Sequence, residues 1–336
     1  IQFATSLRSD QQRNPLRGLP EMHPIRTIAF SLAALACIPC AAQPASSLLQ
    51  ADKAQTVRMQ QHLAKMARKV AVPVGSLKAD DDFRGFEVVA SRLSQARLIG
   101  LGESTHGTHE FNQFRAKLFR YLVLHQGFTH FLLEDMAFAA APLEDYVQGR
   151  GPDAPKETMT DLMWPWCTED MVDFIRWARA YNTTRDDARK VHIIGIDIQK
   201  PYRQAVYMVD LMRKAHQSAE AVEALANIAE GMPKADALNF NDLAAQQHDP
   251  ATPGRWRRAR ADLAAFEQRH GETAPPELQV LLQAIICGVE CELASDGDST
   301  RDRGMAMQIL NSLKRIPSES KAIWWAHNSH VSGGAP

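Results

Sequence analysis

The chain has 336 residues, 45% of them apolar and 23% charged, so it can bury a sizeable core and is too long for a lone small module. A formal net charge of -1 carries none of the basic excess that marks a nucleic-acid partner. The first 21 residues are polar and read as an upstream, non-native stretch. From Met22 the pattern changes: His23 and Arg26 lead into an apolar run from Ile28 to Ile38, then small residues up to Ala42. Residues 22–42 therefore read as a secretory signal peptide cleaved after Ala42, because the run is shorter than the ~20 apolar residues of a spanning helix. The expected destination is periplasmic or secreted, with no membrane span once the leader is removed. Cys37 and Cys40 leave with it, and the remaining Cys167, Cys287 and Cys291 have no CxxC spacing, so neither a disulfide framework nor a zinc finger is indicated.

Downstream, Ala54 to Val72 is amphipathic, with Val57, Leu63, Ala67 and Val70 on one side, and Pro73 closes it. The first buried strand is Arg97 to Gly102, ending at Glu103. His109 to Gln126 is a helix stopped by Gly127, and Thr129 to Leu133 is a second strand ending at Glu134. Thr168 caps a helix from Glu169 to Tyr181, and Val191 to Ile196 is a third strand ending at Asp197. Helices follow at Tyr202–Glu230, Arg255–Arg269, Pro276–Ala294 and Arg301–Arg315, with a polar loop from Asn239 to Gly254. Ala322 to Ala326 is a fourth strand, ending at His327.

Alternation of strand and helix predicts an α/β fold: a mostly parallel sheet flanked by helices, with an inserted helical subdomain. The core's first part is 43–198, the helical subdomain and its flanking helices are 199–315, and the last core strand is 316–336, which reads as C-terminally truncated.

Ligands of open parallel sheets bind where the strands end, because loops and helix N-termini converge there. Here those ends deliver Glu103, Glu134, Asp197 and His327 to one rim. The loop after the first strand adds Ser104, Thr105, His106, Gly107 and Thr108, and Gly107 permits a tight turn that holds His106 above the rim. A histidine beside carboxylates suits general-base work, since imidazole titrates near neutrality and a carboxylate fixes its tautomer. Arg115 can pair with a carboxylate or meet an oxyanion. His327 and His330 are equal candidates for a second imidazole at the site. Trp164 and Trp166 can wall a cleft, and with Thr105 and Asp197 they form the substrate-binding set. His106-x-x-His109-Glu110 matches neither HExxH nor its reverse, and no G-x-S-x-G elbow is present. Direct attack by a base-activated water, with no metal and no cofactor, is the simplest chemistry.

These residues also resemble a known family. Gly102 to Phe111 is similar to the signature segment of the erythromycin esterases, and Phe131 to Glu134 to their second one. Trp164-x-Trp166-x-Thr168-Glu169, Gly195 to Gln199, and Trp325 to His330 follow in the family's order. Ser104 stands where alanine is common. The resemblance implies an α/β core with a helical subdomain and a deep cleft, and inactivation of an antibiotic by hydrolysis of a macrolide lactone. It implies that His106 activates water, that Glu103 and Glu134 orient it, and that Arg115 with His327 or His330 assists. The partner would be a small-molecule ester. A metal-dependent, protease-like hydrolase and a non-catalytic periplasmic ligand-binding protein are the alternative readings.

Overall fold

The computed structural model describes residues 27–31, 48–78, 82–234 and 249–331. The 1–21 stretch, most of the 22–42 leader with its cleavage site, most of the 239–254 loop and residues 332–336 lie outside them.

Five parallel strands form one sheet: β1 (Thr27–Ser31), β2 (Leu98–Glu103), β3 (Phe128–Met136), β4 (His192–Asp197) and β5 (Lys321–His327), in spatial order β1-β2-β5-β3-β4. The fold class expected from the strand-helix alternation is the one observed. β1 adds an edge strand to the four expected, since the backbone of Thr27–Ser31 pairs with β2; a short apolar run reads equally as a leader or as a strand. β5, last in the chain, lies between β2 and β3. This order brings Glu103 and His327 into register as neighbours.

The helices are α1 (Leu48–Val70), α2 (Phe86–Leu93), α3 (His109–Gln126), α4 (Ala137–Val147), α5 (Glu169–Asn182), α6 (Pro201–Lys214), α7 (Ala219–Gly231), α8 (Thr252–Phe266), α9 (Pro276–Leu293), α10 (Gly297–Arg315) and the short α11 (Asn328–Val331). Local chemistry explains many of their ends. Gly127, at φ 73°, closes α3 with its N–H on the Leu122 carbonyl. Thr168 caps α5 by accepting from the Met171 N–H, and Asp296 caps α10 by accepting from Ser299. The single helix expected over Tyr202–Glu230 is two, because His216 turns into the left-handed region at φ 51° and Ser218 caps a new start. α2 and α4 have no counterpart in the sequence reading; α4 is nearly apolar all round and buried, so it lacks an amphipathic signature. The apolar side expected for α1 leaves Val57, Leu63 and Val70 exposed.

One apolar cluster joins the sheet to α2, α3, α4 and α5 around Phe119, Phe131, Trp166, Phe174 and Trp325. A second lies within α6, α7, α8 and α9 around Leu225, Trp256, Leu263 and Ile285. Between β4 and β5 no strand occurs among the described residues. α10 packs back on the sheet through Met305, Ile309 and Leu313, which meet Leu98, Leu132 and Ile196. Gly304 permits this approach: a Cβ there would lie 2.5 Å from Ile198 Cδ1.

Candidate active site

The strand ends and the loop after β2 assemble the site. Gly107, at φ 75°, makes the turn between β2 and α3, and it leaves the His106 side chain 32% exposed while Glu103 beneath it is fully buried. Glu103 Oε1 lies 2.5 Å from His106 Nδ1, and Glu103 Oε2 accepts from Arg115 Nη2 at 2.5 Å. A carboxylate on Nδ1 places the proton there and leaves Nε2 as the basic nitrogen.

Arg115 is fully buried on α3, also donates to Asn112 Oδ1 at 3.0 Å, and lies 3.7 Å from the centre of the Trp325 ring. Burial pushes its guanidinium down to about 9, against the charge and hydrogen bond of Glu103 and the charge of Glu134. It stays a cation at neutral pH, and its contact is with Glu103 rather than with open solvent. Nε and Nη1 find no hydrogen-bond partner among the described residues, which makes the aromatic face under the guanidinium a needed compensation.

His327 stands opposite. Its ring centre is 5.0 Å from that of His106; Nδ1 meets Ser329 Oγ at 2.8 Å and Nε2 faces the Ser104 carbonyl at 3.3 Å. The backbone N–H of His327 donates to Glu134 Oε2 at 2.7 Å. The α11 turn that carries these groups lies against β2 because Gly100 and Gly102 have no side chains: a Cβ on Gly102 would be 2.1 Å from Asn328 Oδ1.

Behind this pair lies a knot of charges that includes Arg301, a residue the sequence reading leaves as the start of a helix. Its Nε and Nη2 fork onto Asp197 at 3.1 and 2.6 Å, and Nη2 also donates to Glu134 Oε1 at 2.8 Å. His330 joins through Nε2, 3.2 Å from Glu134 Oε1 and 3.1 Å from Arg301 Nη1, and through Nδ1, 2.6 Å from Asp302 Oδ1. Burial alone would raise the Glu134 carboxyl; the His330 hydrogen bond, the charges of Arg301 and His330 and the His327 N–H overcome it and hold it down to about 2. Burial works against the His330 cation, yet Glu134 and Asp302 raise its pKa above the ordinary value. Asp197 also accepts from the backbone N–H groups of Ile198 and Gln199 and from the Gln199 side chain, so both of its oxygens are engaged. No local pattern marks Arg301, because its partners lie 104 and 167 residues away.

The expected tryptophans separate. Trp164 is 70% exposed and its ring is edge-on to His106 at 5.7 Å. Trp166 is buried, and its Nε1 donates to the Glu134 carbonyl at 2.8 Å. Thr105 is exposed in the same loop, its hydroxyl 2.6 Å from that of Thr108. Asp135, the neighbour of Glu134, is buried and accepts from the N–H groups of Met136 and Met163, which ties the tryptophan-bearing segment to β3. Burial pushes its carboxyl up to about 7, over the effect of those two hydrogen bonds.

Glu103, His106, Arg115 and His327 thus form one group, and Glu134, Asp197 and His330 form a second around Arg301, joined to the first through the His327 backbone. Among the described residues no three His, Cys, Asp or Glu side chains converge as a metal-holding set. A cavity of about 640 Å³ lies away from the rim, bordered by Glu267, Gln283, Lys314 and Arg315.

The model of the erythromycin esterase family matches residues 123–335, a span that holds Glu134, Asp197, Arg301, His327 and His330 but begins after His106. Two curated Escherichia coli proteins are similar to the chain. Erythromycin esterase type I is 25% identical over 276 residues, 74% of this chain and 65% of that protein. Erythromycin esterase type II is 25% identical over 280 residues, 75% and 64%. The chain therefore spans about 65% of the length of the curated relatives it matches. Among solved structures, a succinoglycan biosynthesis protein superposes with a TM-score of 0.60 at 21% identity, covering 80% of this chain and 66% of that one. A mutant of the erythromycin esterase EreC, in its open conformation, gives 0.54 at 21% identity, covering 74% and 64%. The structural likenesses establish the α/β fold with its helical insertion, and the sequence match over well over half of its length shows that the chain belongs to the erythromycin esterase family.

Proposed function

We propose that the protein is a carboxylic ester hydrolase that opens the lactone of macrolide antibiotics with a water activated by His106. The observation that carries this reading is the Glu103–His106 pair: a buried carboxylate on Nδ1 and a partly exposed ring beyond it. His106 Nε2 takes a proton from water as the oxygen attacks the ester carbonyl. The imidazolium, steadied by Glu103, then returns a proton to the departing alkoxide. Arg115 acts through Glu103, which it holds in place. His327, its ring centre 5.0 Å from that of His106, is the second imidazole within reach of the carbonyl or the leaving oxygen. Glu134, Asp197 and His330 serve by holding that second wall, and Trp164 with Thr105 offers an exposed edge for the substrate. Two curated relatives named as erythromycin esterases support the substrate class. A periplasmic or secreted location rests on the leader-like pattern of 22–42 alone, and it requires that β1 be lost with the leader.

The test is mass spectrometry of erythromycin and a panel of other macrolides incubated with purified protein and with His106→Ala. Wild type should add one water, and the variant should lose about 10²- to 10⁴-fold in kcat, the usual contribution of a positioned general base, with unchanged circular dichroism. Hydrolysis that survives His106→Ala would overturn the role of that residue. Retention of macrolide without turnover by both proteins would point to a binding protein, and activity abolished by chelation and restored by a metal would point to a metallohydrolase.

A further inference from the structure

We propose that Arg301 is a positioning residue: from α10 it grips the carboxylates at the ends of β3 and β4 and so sets where His327 stands opposite His106. Nε and Nη2 fork onto Asp197, Nη2 also donates to Glu134 Oε1, and Nη1 lies 3.1 Å from His330 Nε2. With its side chain 16% exposed and its fork closed on two carboxylates, Arg301 acts on the reaction only through its partners. The path is short. Arg301 fixes one Glu134 oxygen, and the other accepts the His327 backbone N–H at 2.7 Å. The next residue on the helix, Asp302, accepts from His330 Nδ1 at 2.6 Å, so two consecutive residues of α10 hold the segment that follows β5.

The fork, and not the charge alone, is what the geometry requires. A guanidinium can meet Asp197 with two N–H groups, reach Glu134 and still face His330, whereas the ammonium of lysine is a point charge on a flexible stem. Removal of the cation would break the ion pair of buried Asp197 and leave Glu134 with His330 alone. The groups that face His330 are Glu134 from β3 and Arg301 and Asp302 from α10, with Asp197 of β4 behind Arg301. Loss of Arg301 removes a repulsive neighbour and frees two carboxylates toward His330, so the imidazole should hold its proton to higher pH.

The catalytic consequence rests on the proposed ester hydrolysis; the positional one does not. The experiment is NMR of full-length wild type, Arg301→Lys and Arg301→Gln, following the imidazole titrations and the His327 amide, beside kcat and KM for erythromycin. In Arg301→Gln the His330 titration should move to higher pH. In Arg301→Lys the His327 amide should shift away from its hydrogen-bonded position while kcat falls about tenfold to a hundredfold with KM nearly unchanged. If Arg301→Gln does not fold, Arg301→Lys decides. A His327 amide and a His330 titration that coincide with wild type in a folded variant would overturn the proposal. If wild type hydrolyses no macrolide, the NMR comparison still decides it, and only the functional reading fails.

Discussion

The Glu103 carboxylate sits between an imidazole and a guanidinium, and that position fixes what each can do. It sets the His106 tautomer, holds Arg115 charged against its burial, and is itself closed to solvent. At the other end of the sheet the same physics runs against a histidine. His130 is buried beside the stacked ring of His192, 5.0 Å away, and burial, then the charges of His192 and Arg97, push it down to about 4. Its folded pKa lies below its ordinary value of 6.5, so it costs nothing above that value, and the cost accrues as pH falls from 6.5 to about 4. By linkage this amounts to about 3 kcal/mol at most. His130→Gln is expected to move the acid unfolding midpoint, followed by circular dichroism, to lower pH; an unchanged midpoint would show that His130 does not contribute. Glu134 has the same sign for the opposite reason. Its depressed carboxyl gives stability that is present above 4.5 and lost as pH falls toward about 2. Asp135, raised to about 7, costs stability increasingly as pH rises from 3.8 through that value.

At the scale of elements, a register irregularity in β3 between Leu133 and Met136 explains how two adjacent carboxylates are both used. A regular strand points neighbours to opposite faces, and a bulge re-aims them. Glu134 meets His327, His330 and Arg301, while Asp135 holds the Met163 segment. Gly195 on β4 makes room, since a Cβ there would be 2.4 Å from the Met136 carbonyl oxygen. The sequence shows Glu134 as a strand-terminal acid; the strand in fact continues to Met136, because the bulge hides its end from a pattern of apolar residues. The contact of β2 with α11 makes a second test. Gly102→Ala would drive the side chain of Asn328, with its backbone, away from β2 and carry His327 and His330 with it. A loss of about 1–3 kcal/mol in denaturant titration and a fall in kcat are expected together; a variant with wild-type stability and rate would show that α11 yields without moving the histidines.

At the scale of the molecule, α6 to α9 have an apolar cluster of their own, and α10 carries both the contacts to the sheet and the cation of the charge knot. Damage inside the helical cluster should therefore act on stability and leave the chemistry intact. Ile285→Ala, at a fully buried position, is expected to cost about 2–5 kcal/mol in urea unfolding with kcat within about twofold of wild type while folded. A large loss of kcat without a loss of stability would mean that the helical layer reaches the site by another path. This differs from the Arg301 variants, for which rate and the His327 signals change together.

Much of this arrangement is written locally. Apolar runs ending in Glu103, Asp197 and His327, a glycine at the turn before α3 and a cap at Thr168 follow from short stretches of sequence, because periodicity, turn chemistry and capping act over a few residues. Two histidines three residues apart were equal candidates, and only tertiary contacts give them different surroundings: His327 faces His106, while His330 is held between Glu134 and Asp302. The insertion of β5 between β2 and β3 and the reach of Arg301 to two strand ends are likewise decided by the folded chain. Strand order and buried charge pairing join residues more than 100 positions apart, and no local propensity encodes which of many carboxylates a distant guanidinium will meet.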